Sequence, residues 1–443
     1  MRGTSHEPVR ENMIAAGNKN PGRALSQGAP PLDFPLAANS TRSFRPRFSS
    51  CMTPISCFFN RWSRHVRILI WTLVLGTSIP QRSARAESTL HYKFQTWQED
   101  DGRIRVDSHY AEAEQTWSNG SNLRVVGLVD TITGATPSGQ PAPEGSDQVP
   151  LATLEDERES YQLEYTHTFE AFDVALGYGT SEEIDYESDV WSLNTQLFFN
   201  QKNTTLLMGY ARAEDDVTAI FLPEPREKTV HDAIIGLTQV LSPRTSVTAN
   251  LSYGYEQGYL SDPYKILEQE TEILPGLVLG LTFPENRPSE REKLIGFVSM
   301  NHAFENLNAA VDTSYRLLDN NWGVTSHTLE LAWFQRLGER FIIRPAVRYY
   351  RQSAADFYTV DLNNSPIVPP TEATGRAPYY SADYRLSEME TWMIGVKVVW
   401  DISEHVSLDA TVERYLMNGR DDFTSPSAYV DANVVTVGIR LWL

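Results

Sequence analysis

Charged side chains at alternate positions are the residues of this sequence best placed to do chemistry. Arg105 and Asp107, Asp312 and Arg316, Arg344 and Arg348, and Asp409 and Glu413 repeat even spacings. Glu164, Glu330, Arg336, Lys397 and Arg440 each alternate with less polar neighbours. In an extended chain, residues separated by an even number of positions share a face, so Arg344 and Arg348 lie about 13 Å apart on one side. Such groups act through their field: facing rings of opposite charge select ions or solutes in a pore. The same residues serve equally well as a salt-bridge network that stiffens a wall. On a lipid-contacting face an Arg or Lys would cost about 2–4 kcal/mol at the midplane. These positions are therefore expected to line an interior.

Bond-making chemistry has less support. No G-x-S-x-G or H-E-x-x-H pattern occurs. Asp215-Asp216 and His231-Asp232 form the one acid/base group worth naming, and a loop-based hydrolase built on them is the minor alternative. Glu268, Glu270 and Glu272 alternate just before the apolar run ILPGLVLGLTF (273–283). They are either a solvated face or a contact for a divalent cation. An exposed apolar run of this size is unusual in water. The segment is expected to fold inward as a constriction or plug, through Leu274, Leu277, Leu279 and Phe283, or to pack on a rim, with contact to lipopolysaccharide as the other alternative. Phe357, Tyr358, Tyr379, Tyr380 and Tyr384 in 354–386 either stack on ligands or fill a small core of their own loop.

The elements that must position these residues have a period of two. In 245–256, Val247, Ala249, Leu251, Tyr253 and Tyr255 share a face opposite Ser246, Thr248, Asn250, Ser252, Gly254 and Glu256. In 391–400, Trp392, Ile394, Val396, Val398 and Trp400 share one, with Lys397 opposite. Trp191, Trp392 and Trp400 sit where an aromatic girdle belongs. Such alternation predicts sixteen strands, at 89–98, 103–116, 122–132, 159–169, 172–183, 188–200, 204–217, 228–241, 245–258, 291–304, 308–319, 325–337, 341–353, 387–401, 405–418 and 431–443. Short turns alternate with a side carrying long connections at 133–158, 218–227, 259–290, 354–386 and 419–430. Even strand number and this asymmetry describe a transmembrane antiparallel up-and-down β-barrel of the outer-membrane type, all-β. In hydrocarbon every backbone group must be paired, so the sheet must close on itself. The terminal VVTVGIRLWL (434–443) is then the closing strand, and it must pair with the first. Its Thr436-x-Gly438-x-x-Leu441-x-Leu443 is similar to the C-terminal insertion signal of such barrels, with the aromatic Trp442 one position early.

Composition sets the compartment. Arg61, Arg64 and Arg67 precede the short apolar stretch 68–79 and Ala84-Arg85-Ala86, the pattern of a cleaved signal peptide over 52–86. Residues 1–51 lack periodicity and read as a non-structural or mis-assigned extension, and the barrel occupies 87–443. Of 38 basic and 57 acidic residues, 1–86 hold 12 and 3, which leaves a mature charge of about −28. That acidity disfavours nucleic acid as a partner. Both cysteines, Cys51 and Cys57, precede residue 87, which removes disulfides, thiolate catalysis and cysteine-zinc sites from the mature chain. No cofactor and no metal are expected. The expected partners are outer-membrane lipid and lipopolysaccharide, the barrel-assembly machinery and a small solute, with a homo-oligomer left open.

GLVDTITGATP (127–137), YLSDPYK (259–265), ENRPSER (285–291), RPAVRYYRQSAADFY (344–358) and SADYRLS (381–387) together resemble domain-of-unknown-function family 3570, over essentially all of 87–443. The resemblance implies a bacterial outer-membrane barrel of undefined role. Members tend to be encoded near thioredoxin-like and flavin-transfer proteins, which implies redox work outside the cytoplasm. The expectation is a porin-like conduit for small solutes. The alternative is a non-conducting scaffold for an exported redox or maturation system.

Overall fold

The computed structural model describes residues 87–443 apart from 219–221, 223, 275, 276 and 364. The proposed signal peptide and the extension before it lie outside the described residues. Eighteen strands are present among them: β1 Glu87–Glu99, β2 Arg105–Thr116, β3 Ser121–Pro137, β4 Leu151–Thr168, β5 Phe172–Glu182, β6 Tyr186–Phe199, β7 Thr204–Val217, β8 Arg226–Ser242, β9 Thr245–Gly258, β10 Ile266–Leu274, β11 Leu277–Pro284, β12 Glu290–Phe304, β13 Ala309–Asn320, β14 Thr325–Leu337, β15 Phe341–Gln352, β16 Met389–Ser403, β17 Val406–Gly419 and β18 Ala432–Trp442. Sixteen of them close into one antiparallel barrel, and β10 and β11 form a separate two-stranded sheet. Every one of the sixteen predicted segments is a barrel strand. The barrel closes as the C-terminus requires, with β18 beside β1 in the register Leu90↔Leu441, Phe94↔Val437 and Trp97↔Val434.

Alternation along each strand separates two faces. Leu176, Trp191, Leu193, Leu251, Leu294, Val298, Leu329, Leu331, Ile394, Val396 and Val437 are all exposed. So much apolar surface facing outward on every side is the signature of a wall in hydrocarbon. Its two rims carry aromatic pairs. Tyr178 meets Trp191 and Tyr349 meets Trp392, with ring centroids 4.4 and 4.6 Å apart. At the other end Phe341 stacks on Trp400 at 5.9 Å. Trp392 and Trp400 are eight residues apart, about 27 Å along the strand. At a tilt of about 40° this is about 21 Å of height, close to the roughly 25 Å apolar band of such barrels.

Two predicted loops contain more strand than alternation revealed. β3 and β4 pair as far as Pro137↔Leu151, which shortens the 133–158 connection to a loop at 138–150. Both strands run past the apolar band, where their faces no longer alternate by polarity. The 259–290 connection contains the β10–β11 hairpin. Gly258, the last residue of β9, turns the chain out of the wall at φ +120, and a Cβ there would lie 2.3 Å from the Glu227 carbonyl oxygen. Only glycine fits such a place without strain.

The long-connection end is filled by a folded cap. Ile104, Val106, Ile132, Leu154 and Tyr264 form one buried cluster. Met389, Tyr415, Met417, Tyr429 and Val430 form a second. Leu267, Leu362, Tyr380 and Ala382 form a third, and Trp322, Val324, Ala355 and Leu386 a fourth. The hydrophobic core thus sits at the mouth, and lower down the wall needs none because lipid covers its outside.

Candidate functional site

Inside the wall the charges are paired across neighbouring strands. Arg348 Nε lies 3.0 Å from Glu330 Oε1, Lys397 Nζ 2.9 Å from Asp409 Oδ1, and Arg124 Nη2 2.7 Å from Glu112 Oε2. Lys293 pairs with Glu256. Asp312, Arg316, Arg336, Arg344, Glu413, Arg440 and Glu164 share this inward face by register: Arg344 stands opposite Lys397, Glu413 opposite Val434, and Arg440 opposite Ser407. The distribution has two sides. β4 to β9 turn Glu164, Asp173, Asp215, Asp232 and Glu256 inward, with Arg158 and Lys228 among them. The adjoining arc, β12 to β16, which begins beside β9, turns in Arg291, Lys293, Arg316, Arg344, Arg348 and Lys397, with Asp312 and Glu330 among them. Small side chains at Gly177, Gly179, Ser192, Ala211 and Ala213 leave a cavity of about 350 Å³ against the acidic side.

Arg105 and Asp107 depart from the expectation. They bond to each other at 3.1 Å with their side chains half exposed. Val106 between them is buried in the first apolar cluster, so Arg105 and Asp107 face outward. They stand near the rim, above the aromatic girdle, where the outer surface meets water and charge carries no lipid penalty.

The apolar run also departs from it. Leu274, Leu277, Leu279, Glu270 and Glu272 are exposed, and Phe283 and Glu268 are half-buried. The arm of the hairpin exposes its apolar side chains rather than packing them against the wall. A two-stranded hairpin satisfies its own backbone, and the place inside the mouth is already taken by its base.

That base is the most unusual chemistry in the molecule. Lys265, Glu285 and Asp383 are fully buried. Arg385 bonds Asp383 through Nε at 2.8 Å and Nη2 at 2.6 Å, and Nη2 also reaches Asp262 at 2.5 Å. Arg287 bridges Asp383 at 2.8 Å and Glu285 at 2.6 Å. Glu285 also accepts from Ser381 Oγ at 2.5 Å and from the Asp262 amide. Lys265 donates to the Pro137 carbonyl at 2.5 Å and lies 5.7 Å from the centre of the Tyr384 ring. Three cations face three carboxylates. Burial works to raise Asp383, but Arg385 and Arg287 outweigh it and hold its carboxyl well below the usual range. For Glu285 burial prevails over Arg287 and pushes the carboxyl up. Neighbouring Asn286 donates to the Arg376 and Pro378 carbonyls at 2.6 and 2.8 Å and accepts from the Thr374 and Gly375 amides. Breaking one buried pair costs about 3–5 kcal/mol because the other charge is left without compensation. The network is a clasp that holds 259–265, 285–289 and 374–387 in the mouth.

Alternation cannot find this clasp, because loops have no period and a charged loop residue reads as solvated. The signal was present in another form. YLSDPYK, ENRPSER and SADYRLS, three of the stretches that carry the family resemblance, supply all six charges. Of the loop aromatics, Tyr380 is buried, Tyr384 packs half-buried against the second cluster and Phe357 packs at 5.2 Å on Trp322, so they build the cap's own core. The acid/base group divides between faces. Asp215 points inward and bonds Tyr186, Ser188 and Lys228, whereas His231 meets Tyr210 on the exposed face at 2.7 Å.

A cavity of about 270 Å³ lies beneath the clasp. Its lining includes Arg158, Glu183, Asp185, Lys228, Arg291 and Arg385. It joins the cap to the polar bore.

Comparison with solved structures finds outer-membrane proteins. A bacterial polysaccharide outer membrane secretin is matched at 8% identity and TM-score 0.45, over 80% of this chain and 98% of the other. The outer membrane protein opdK from Pseudomonas aeruginosa is matched at 9% and 0.38, over 81% and 99%. The siderophore receptor PirA from the same organism is matched at 10% and 0.37, and there this chain spans only 62% of the other protein. No curated protein matches the sequence. The profile of the family described as "Protein of unknown function (DUF3570)" matches residues 74–225 and 221–435. The chain is an outer-membrane-type β-barrel and belongs to that DUF3570 family.

Proposed function

We propose that this barrel is a gated conduit for small polar solutes, porin-like in its wall and shut at its outer mouth. The carrying observation is the pairing of a two-sided charged bore with a cap clasped by buried Asp262, Lys265, Glu285, Arg287, Asp383 and Arg385. Adjoining acidic and basic arcs of one bore orient a dipolar solute and discriminate by charge. The clasp makes passage conditional on cap movement, because the packed loops occupy the mouth. In this reading the chain reaches the outer membrane behind the 52–86 signal peptide, and the mature protein starts at Glu87.

Planar-bilayer recording tests the proposal. Wild-type protein is expected to stay mostly closed, and Asp383→Asn is expected to give frequent unitary openings. A folded Asp383→Asn barrel whose cap has loosened, as read by proteolysis, and which still passes no current would overturn the conduit. The scaffold reading is favoured by one observation, the exposed apolar arm at Leu274, Leu277 and Leu279, which offers a partner an outer handle. The hydrolase has the weakest support, since His231 and Asp232 lie on opposite faces of the wall.

A further inference from the structure

The rim beside the cap holds a second cluster of charge that the bore does not need. Asp156 projects inward from β4, and Glu183 and Asp185 come from the short loop between β5 and β6. One carboxylate oxygen from each lies within 4.8 Å of the others. All three are out of solvent: Asp156 is 3% exposed, Asp185 6%, and the Glu183 side chain 4%.

What sets the cluster apart is unfinished bonding. Neither oxygen of Asp185 takes a hydrogen bond from another residue, and Asp156 Oδ2 and Glu183 Oε2 are likewise unpartnered. A buried carboxylate oxygen with no donor is costly, and here four such oxygens belong to three clustered side chains. Arg158, the cation paired with Glu183 at 3.8 Å, also bonds Asp130. Asp130 and Glu183 thus share one guanidinium, while Lys228, Arg291 and Arg385 line the adjoining cavity.

We propose that Asp156, Glu183 and Asp185 form a divalent-cation site, and that the cation is calcium. All three ligands are hard oxygens, as Ca²⁺ requires, and Ca²⁺–O distances run about 2.3–2.6 Å. Oxygens that lie within 4.8 Å of one another can all reach one ion at such distances. Mg²⁺ demands a near-ideal octahedron at about 2.0–2.1 Å and parts with its waters reluctantly, whereas Ca²⁺ accepts the irregular geometry that three carboxylates from a strand and a short loop offer. The adjoining cavity of about 270 Å³ is lined by Glu183 and Asp185 and gives the ion an access route and room for water ligands. The backbone is already fixed for the purpose. The Ile184 amide reaches Asp156 Oδ1 at 3.5 Å, and the Thr218 amide donates to the Asp185 carbonyl at 2.8 Å. A bound ion ties the β5–β6 loop to β4 next to the cap. The site is independent of the conduit reading.

The test uses the folded full barrel in detergent micelles free of lipopolysaccharide, stripped with a chelator and titrated with CaCl₂ by calorimetry. One Ca²⁺ per chain is expected, with a raised unfolding midpoint. Asp185→Asn and Glu183→Gln are each expected to weaken binding at least about tenfold, while Glu270→Gln on the exposed hairpin leaves it unchanged. Two variants are named so that loss of folding in one leaves the other as a test, with fold checked by heat-modifiable mobility. Folded wild type that shows neither binding heat nor a calcium-dependent midpoint overturns the site. So does wild-type affinity in both variants, which would put the ion elsewhere. Equal affinity for Mg²⁺ overturns the assignment to calcium.

Discussion

At the scale of single residues, the cap is held by charges rather than by apolar contact alone. Asp383 accepts from both Arg287 and Arg385, so Asp383→Asn leaves two buried guanidiniums short of a counter-charge. The opening free energy of the 353–388 segment is expected to fall by about 3–5 kcal/mol. Hydrogen exchange localised to that segment measures it, and protection equal to wild type would contradict the clasp. Glu285 gives the pH dependence. Its carboxyl is pushed up to about 7 by burial, against an ordinary value of 4.5. A raised carboxylate binds its proton more tightly when folded, so its contribution is present below the ordinary value and is lost as pH rises through about 7. Asp383 has the opposite sign, and its contribution is lost only in strong acid. The cap is therefore expected to be cut faster by protease at pH 8 than at pH 6, and Glu285→Gln is expected to flatten that difference.

At the scale of elements, the barrel strands and the β10–β11 hairpin obey different rules. A barrel strand gets its backbone partners from two neighbours and its apolar cover from lipid, so its side chains must alternate. The hairpin arm has only itself. Residues 277–282 are exposed on both faces, so their apolar character does not report an interior. Deleting 270–281 is expected to leave the barrel folded and its conductance unchanged. Liposome swelling with sized sugars checks this, and a marked gain in permeation would restore the arm as a constriction. At the end of β9, Gly258→Ala is expected to destabilise the exit of the chain from the wall, since φ +120 and a 2.3 Å approach leave no place for the added carbon. A lower unfolding midpoint is the readout.

At the scale of the whole molecule, the wall is open to reading and the mouth is not. N-terminal sequencing of the outer-membrane species is expected to begin at Glu87, and an intact 52–86 segment there would refute processing at Ala86. The chain itself determined the number of wall strands, their order and their closure. Hydrocarbon on one side and water on the other imprint polarity on every second residue, and Leu251 or Val396 carries that imprint without reference to any distant contact. The same alternation turned Arg316, Arg344 and Lys397 inward. It failed at Arg105 and Asp107, because beyond the apolar band both surfaces are wet and a charge no longer marks the interior. Tertiary structure alone decided the rest. Asp262, Arg287 and Asp383 come from segments far apart in sequence, and so does the pairing of Asp156 with Asp185. Their meeting depends on which loops fold over the mouth. There charge is removed from water, and that removal turns ordinary loop residues into a clasp and an acidic pocket.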